Sequence, residues 1–502
     1  MVDGGLVLDS VQEHSDTGPT LYWYDLETFG LDPIRDRIAQ FAGVRTDLDL
    51  NILGPPQIVY CKPPLDYLPD PASCLVTGIT PRLAHHKGRV EAEFIAAIRS
   101  EFLRPQTCVV GYNNLRFDDE VVRHTLYRNL FDPYEREWRN GNSRWDIIDM
   151  ARLVAALRPE GMDWPMTEDG RPSFRLEALT AANGIPHSGA HDALADVLAT
   201  IGLARLIKTS QPRLYDFVFC HRGKQRAAGL LNLGSFAPVV HVSGRYSSER
   251  HNLAIVVPLS RHPANNNGVV VYDLSVDPTP LIELDVDAVR RRVFTSATGK
   301  EPNPLRIPLK TVHLNKCPVL APVKVIRPVD EVRLALDNEA ISAHLARLRA
   351  APGIEQKVAA VFEPAELPAE TDPDALLYRG GFLDDADRAQ LNRMHQRSAR
   401  DVAVATMSFH DPRLPEMVFR YRARNYPELL TPEERERWEA FRLAGLEGSD
   451  RHGMRTLAAY QAAIAGLEAS VTEDSGQRAI LAELRDYGRM LVRKNPSVLP
   501  YT

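Results

Sequence analysis

One ten-residue stretch limits what this chain can fold into: Leu21-Tyr22-Trp23-Tyr24-Asp25-Leu26-Glu27-Thr28-Phe29-Gly30. Its first half is aromatic and aliphatic, as in a buried strand, and Gly30 ends the run. Side chains alternate across a strand, so Asp25 and Glu27 share one face about 7 Å apart. Two carboxylates at the end of a hydrophobic strand are costly unless something positive sits between them. A hard divalent cation such as Mg²⁺, which prefers oxygen ligands, meets that need. An Asp-x-Glu pair arises by chance about twice in a chain of this length, so further acids are required before it means anything.

The chain has 502 residues, too many for one core, and reads as several domains. Hydrophobic residues make up 44% and charged residues 25%, as in ordinary globular proteins. No apolar run is long enough to span a membrane, and residues 1–19 are polar, without the basic-then-apolar order of a signal peptide. The expectation is a cytoplasmic protein with a loose N-terminal tail. Five scattered cysteines without a C-x-x-C pair argue against zinc and disulfides and for reduced, mostly buried thiols. A net charge of −6 does not favour a nucleic-acid partner, but a basic groove can sit on an acidic body.

Strands are expected at 37–45, 57–61 and 107–112, the first two forming an antiparallel meander with the opening strand. Helical spacing marks 91–102, 118–130, 145–158, 175–183 and 191–207. Strands followed by alternating strands and helices predict an α/β layer with a mixed sheet. From about 212 to 330 short Val-, Pro- and Gly-rich runs predict a small all-β domain, and beyond the Pro/Glu-rich stretch 363–374 the chain reads as helical, at 433–446, 455–467 and 477–493.

Two more acids join the opening pair. Asp118 follows a strand at a helix start, and Asp196 lies in the last helix of this region, five residues after His191. Four carboxylates can hold two Mg²⁺ ions about 3.5–4 Å apart, able to stabilise the attacking and leaving oxygens of a phosphoryl transfer. Histidine titrates near neutrality, so His191 could take a proton from water. Each acid has another use: Asp118 could cap its helix, and Asp192 with Asp196 could form a solvated face.

Asp25-x-Glu27, Asp118 and His191-x₄-Asp196, in that order, resemble the DEDDh exonucleases of the RNase H-like fold. Longer strings are similar to the bacterial exodeoxyribonuclease I family: Tyr24-Asp-Leu-Glu-Thr-Phe-Gly, Thr77-Gly-Ile-Thr-Pro, Gly111-Tyr-Asn-Asn, Arg116-Phe-Asp-Asp-Glu, Ala156-Leu-Arg-Pro-Glu-Gly and Pro172-Ser-Phe-Arg-Leu-Glu. So are His241-Val-Ser-Gly, Asn315-Lys-Cys-Pro-Val-Leu and Tyr421-Arg-Ala-Arg-Asn, which carries the resemblance across most of the chain. The N-terminal tail and the C-terminal end match few such strings.

The resemblance implies a monomeric enzyme of DNA repair and recombination that degrades single-stranded DNA 3′ to 5′ into 5′-mononucleotides with Mg²⁺. It implies an RNase H-like nuclease domain (20–211), an SH3-like β domain (212–368) and a helical C-terminal domain (369–502), after a tail over 1–19. Asp25, Glu27 and Asp196 would hold one cation, Glu27 and Asp118 the second, and His191 would deprotonate the attacking water. Segment 116–152 supplies cations and flat rings for DNA: Arg116, Arg123, Arg128, Tyr134, Trp138, Arg144 and Arg152. By resemblance Arg123, Tyr134, Trp138, Arg152 and Arg175 are the DNA contacts, Glu27 also meets substrate, and Phe29 is placed against the terminal base. A basic pocket including Arg158 and Arg327 would receive the acidic C-terminal tail of single-stranded DNA-binding protein. An RNA-trimming exonuclease shares the same five catalytic residues, because RNA and DNA are told apart by sugar contacts. A non-catalytic DNA clamp or a polymerase proofreading subunit would keep the fold; intact acids oppose the first and the added domains the second.

Overall fold

The computed structural model describes residues 18–187, 189, 192–294, 306–364, 370–397, 407–448, 453–471, 476–493 and 496. Most of the N-terminal tail and His191 lie outside them. The chain forms two compact units, one of Met1–Ser143, Ser188–Leu198 and Pro368–Thr502, the other of Arg144–His187 and Ala199–Leu367.

The first unit is built on strands β1 (Thr20–Thr28), β2 (Ile38–Thr46), β3 (Gln57–Tyr60) and β4 (Thr107–Gly111) in the order β3-β2-β1-β4, and the chain passes from it into the second unit at the start of β5 (Ser143–Asp146). The β1–β2–β3 meander is antiparallel, as the short connections predict, and β4 runs parallel to β1. Alternation sorts β1 cleanly. Tyr22, Tyr24 and Leu26 enter a core with Phe41, Phe94, Ile98, Phe102, Val121 and Val122, drawn from β2 and the helices Glu91–Phe102 and Asp118–Arg128. Each such side chain contributes roughly 1.5–3 kcal/mol by leaving water.

The C-terminal helices belong to this same unit. Tyr460, Ile464, Leu481, Leu484 and Tyr487 pack with Phe29, Tyr67, Leu68 and Cys74. Asn425 Oδ1 accepts the Ala92 backbone N–H at 2.9 Å, satisfying a donor in the first turn of a helix whose own N-cap, Val90, has no side chain able to do so. The Arg424 guanidinium, 6% exposed, bonds Asp66 and Asp374. A buried cation with two carboxylate partners fixes position as much as it stabilises.

In the second unit, β6 (Val239–Val242), β7 (Leu253–Arg261), β8 (Gly268–Asp273), β9 (Leu309–His313) and β10 (Val319–Pro322) form an antiparallel sheet in the order β10-β6-β7-β8-β9. The expectation of an all-β stretch over 212–330 is corrected here. Helices at Pro212–His221, Lys224–Leu230, Thr279–Glu283 and Val286–Phe294 interrupt it. The reason lies in the sheet, which is apolar on both faces. Ile255, Val257, Val270 and Tyr272 bury against Val289, Val293, Leu348 and Val358, while Ala254, Val256, Val269 and Val271 bury against Ala227 and Leu231. A sheet covered on both sides needs helices to cover it. Of the cysteines, Cys61, Cys74 and Cys108 are buried free thiols, Cys317 is half-buried and Cys220 is exposed. No helix among the described residues is long and apolar enough to cross a membrane.

Candidate active site

The two β1 acids lie beyond the reach of β4. Pairing runs from Thr20 opposite Thr107 to Trp23 opposite Val110, so Asp25 and Glu27 project past the carboxyl end of β4. That edge is where open α/β sheets place ligands. After Gly111 the chain reverses through Asn113, in the left-handed region at φ 58°, and a short 3₁₀ turn over Asn114–Arg116. Phe117 takes the N-cap position, leaving Asp118 as the first helical residue and buried. A register break after Glu27 gives β2 an extra residue at Ala39, an irregularity that often re-aims side chains beside active sites.

The fourth acid arrives on the helix Ala193–Ser210. Asp192 and Asp196 are one turn apart but differ in use. Asp192 is exposed and its Oδ1 accepts the Leu194 N–H at 3.0 Å, an N-cap contact. Asp196 instead meets β1: one oxygen each from Asp25, Glu27 and Asp196 all lie within 4.8 Å of one another. That span is close to the separation of two oxygens across a hard cation, about 4–5 Å.

Among the described residues, the side-chain charges that act most on Asp25 and Glu27 are negative. Burial pushes the Asp25 carboxyl well above the usual range, and Asp118, Asp196 and Glu27 push it further in that order. Glu27, 7% exposed, is pushed up to about 8 by burial first, then by Asp196, Asp118 and Asp192. Four acids crowded in this way form a donor set suited to oxygen-seeking divalent cations, which would reverse the shifts of Asp25 and Glu27.

The expected DNA-contact residues divide between the units. In the first, Arg123 is 3% exposed and bonded to Glu120, Glu137 and the Tyr378 hydroxyl. Its guanidinium lies 5.8 Å over the Tyr134 ring, and Trp138 stands 66% exposed. Arg128 is buried against Glu91 and the Ile34 carbonyl, and Arg116 is exposed. In the second, Arg152 bonds Asp149 and lies 5.6 Å over Phe174, while Arg144 donates to the Asn315 carbonyl. A Cβ on Gly244 would come 2.9 Å from Arg152 Nη2, so a larger residue there would displace the Arg152 guanidinium. Arg175 is exposed at the N-cap of Leu176–Ala182. Arg158 and Arg327 both bond the fully buried Asp330, which Arg333 also meets.

Phe29 is corrected: at 1% exposure it is a core residue, its ring 6.5 Å from that of Tyr67, and not a ring open to a base. Strict alternation would leave Phe29 on the face of Asp25 and Glu27, but it lies beyond the end of β1 at Thr28 and packs in a cluster with Tyr67, Tyr460 and Tyr487. Sequence reasoning passed over Tyr378 and Phe382, which join the aromatic group around Arg123 and Tyr134. They are 55% and 83% exposed, and aromatic residues in a Gly-rich, helix-poor stretch were the available signal. It also passed over Asp119, discussed below.

Three family models match successive parts of the chain: "Exonuclease" over 22–204, "Exonuclease I SH3-like domain" over 222–364 and "Exonuclease I C-terminal domain" over 371–491. The chain is 48% identical to the exodeoxyribonuclease I of Escherichia coli over 84% of this chain and 88% of that one. It is similar to the structure of a moderately thermophilic exonuclease I from Methylocaldum szegediense, with 56% identity, TM-score 0.90, and 95% of this chain and all of that chain covered. A zinc-bound E. coli exonuclease I–single-stranded DNA complex matches with 44% identity, TM-score 0.89 and the same coverage.

Proposed function

The chain belongs to the exodeoxyribonuclease I family, and from that premise we propose that it hydrolyses single-stranded DNA from the 3′ end, releasing 5′-mononucleotides. The observation that carries this reading is the convergence of Asp25, Glu27 and Asp196 oxygens within 4.8 Å, in the field of Asp118. Asp25, Glu27 and Asp196 would hold one Mg²⁺ ion, and Glu27 with Asp118 a second. Bound divalent ions supply charge that stabilises the attacking and leaving oxygens of phosphodiester hydrolysis. His191 takes the proton of the nucleophilic water, a task suited to a group titrating near neutrality.

Arg123, Tyr134, Trp138, Arg152 and Arg175 contact the strand. Exposed Trp138 and the Arg123-backed Tyr134 offer faces on which any base can stack, which suits a sequence-indifferent nuclease. Glu27 also meets the 3′ end of the substrate. Residues 20–211, 212–368 and 369–502 are the nuclease, SH3-like and helical domains, following a tail over 1–19, in a cytoplasmic monomer that serves DNA repair. Arg158 and Arg327 receive the acidic C-terminal tail of single-stranded DNA-binding protein: with Arg333 they set three cations against Asp330 and Glu160, leaving positive charge for a carboxylate. Val329 and Val332, exposed on the adjoining helix Pro328–Arg333, add apolar surface for such a tail.

The deciding experiment digests 3′- and 5′-labelled single- and double-stranded DNA, with a matched ribo-oligomer, in Mg²⁺ and in EDTA. Immediate release of the 3′ label as mononucleotide from single-stranded DNA, abolished by EDTA, is expected. Preferential loss of the 5′ label, or faster digestion of RNA, would overturn the reading.

A further inference from the structure

Asp119 takes no part in the roles above, yet it is fully buried beside the site. Its Oδ1 accepts the Tyr24 hydroxyl at 2.7 Å and Arg136 Nη2 at 2.8 Å. The two ends of the first bond are telling. Tyr24 precedes Asp25 on β1, and Asp119 follows Asp118 on its helix. Tyr24 leaves the strand on the face opposite Asp25, where its ring packs against Phe41 and Phe102, with centroids 6.0 and 5.2 Å away. The bond thus ties β1 to the helix Asp118–Arg128 one residue from where two acids of the site face each other.

Those acids repel. Two ionised carboxylates without a cation between them are like charges. A cross-brace behind them resists their separation whenever no cation lies between. Arg136, fully buried with its guanidinium 5.1 Å over the Phe102 ring, supplies the charge that a buried Asp119 needs.

We propose that Tyr24, Asp119 and Arg136 are positioning residues that set the separation of Asp25 and Asp118, and through it the affinity of the site for divalent cations. This rests on the assignment of Asp25 and Asp118 as cation ligands. The test titrates MgCl₂ into the DNA-free full chain by calorimetry and records thermal midpoints in EDTA, for the unaltered protein, Tyr24→Phe, Asp119→Asn and Asp25→Ala. Partners that orient metal ligands typically change metal affinity about 10–100-fold when removed. Tyr24→Phe, which loses one hydroxyl and keeps the ring, is expected to weaken Mg²⁺ about 10-fold with a midpoint close to the unaltered protein's. Its turnover should recover at high Mg²⁺, which a purely structural defect would not allow. Asp119→Asn should weaken Mg²⁺ more and also lower the midpoint, because Arg136 loses its counter-charge. Unchanged Mg²⁺ affinity in Tyr24→Phe, alongside loss of binding in Asp25→Ala, overturns this inference alone. Unchanged Mg²⁺ binding in Asp25→Ala overturns the ligand assignment, and the inference with it.

Discussion

Two clusters of the first unit could each hold a metal ion by proximity, and they are opposites. Asp25, Glu27 and Asp196 form one; Asp384, Asp387 and His410 form the other. In the second, the protein itself has filled the role of the cation. Asp387 accepts the backbone N–H groups of His410 and Asp411 at 3.0 and 2.9 Å, and Asp384 accepts that of Asp387 at 2.8 Å as the N-cap of Asp385–His395. His410 Nδ1 lies 2.7 Å from Asp384, and the pair shifts in the direction of an ion pair: Asp384 down, held first by the Asp387 N–H, and His410 up. In the first cluster Asp25 and Glu27 are both raised, because burial and like charges outweigh the Leu26 N–H that acts against them on Asp25. Closeness of acids therefore does not mark a metal site. Uncompensated closeness does.

The largest effect that separates the two clusters is on chemistry. Asp25→Asn and Asp196→Asn are expected to lower turnover on single-stranded DNA on the order of 10³-fold, since each removes charge that holds the cations. Asp387→Asn should leave turnover within about twofold, and single-turnover digestion measures all three. His191→Ala should cost about 10²-fold or more at neutral pH, the usual worth of a positioned general base; near-full turnover would remove His191 from the mechanism.

A third prediction concerns pH. Glu27 has a folded value of about 8, above that of a free carboxyl, so its contribution to stability is fully present below about pH 4.5 and is lost as pH rises to about 8. Asp25, raised in the same sense, adds to the loss. Without metal, the thermal midpoint should carry a falling component over that window, and Mg²⁺ should raise the midpoint more at pH 8 than at pH 6. A Mg²⁺ shift that is equal at both values would break the contrast. The smallest effect belongs to the second cluster: Asp387→Ala removes the carboxylate that accepts two part-buried N–H groups and should cost about 2 kcal/mol in denaturant titration, with Mg²⁺ affinity unchanged.

Much of this was readable from residues alone where the physics is local. The helix Glu91–Phe102 falls where the spacing of Phe94, Ile95, Ile98 and Phe102 puts it. The antiparallel meander follows from short connections between apolar runs, and Asp25 with Glu27 share a face because strands alternate. Helices in the second unit were harder, because Val-rich runs that bury both faces of a sheet look alike whatever covers them.

Sequence by itself determined which acids were available and, through motif order, the family to which they belong. Motif order had already picked Asp196 over Asp192; only the tertiary structure showed the reason, Asp196 meeting β1 while Asp192 caps its helix. It alone turned Phe29 into core, gave Arg123 its two glutamate partners, and brought residues of the C-terminal helices into the unit that holds the site. The physical reason is common to all of these. Burial and charge compensation depend on what arrives from elsewhere in the chain, and neither periodicity nor spacing carries that information.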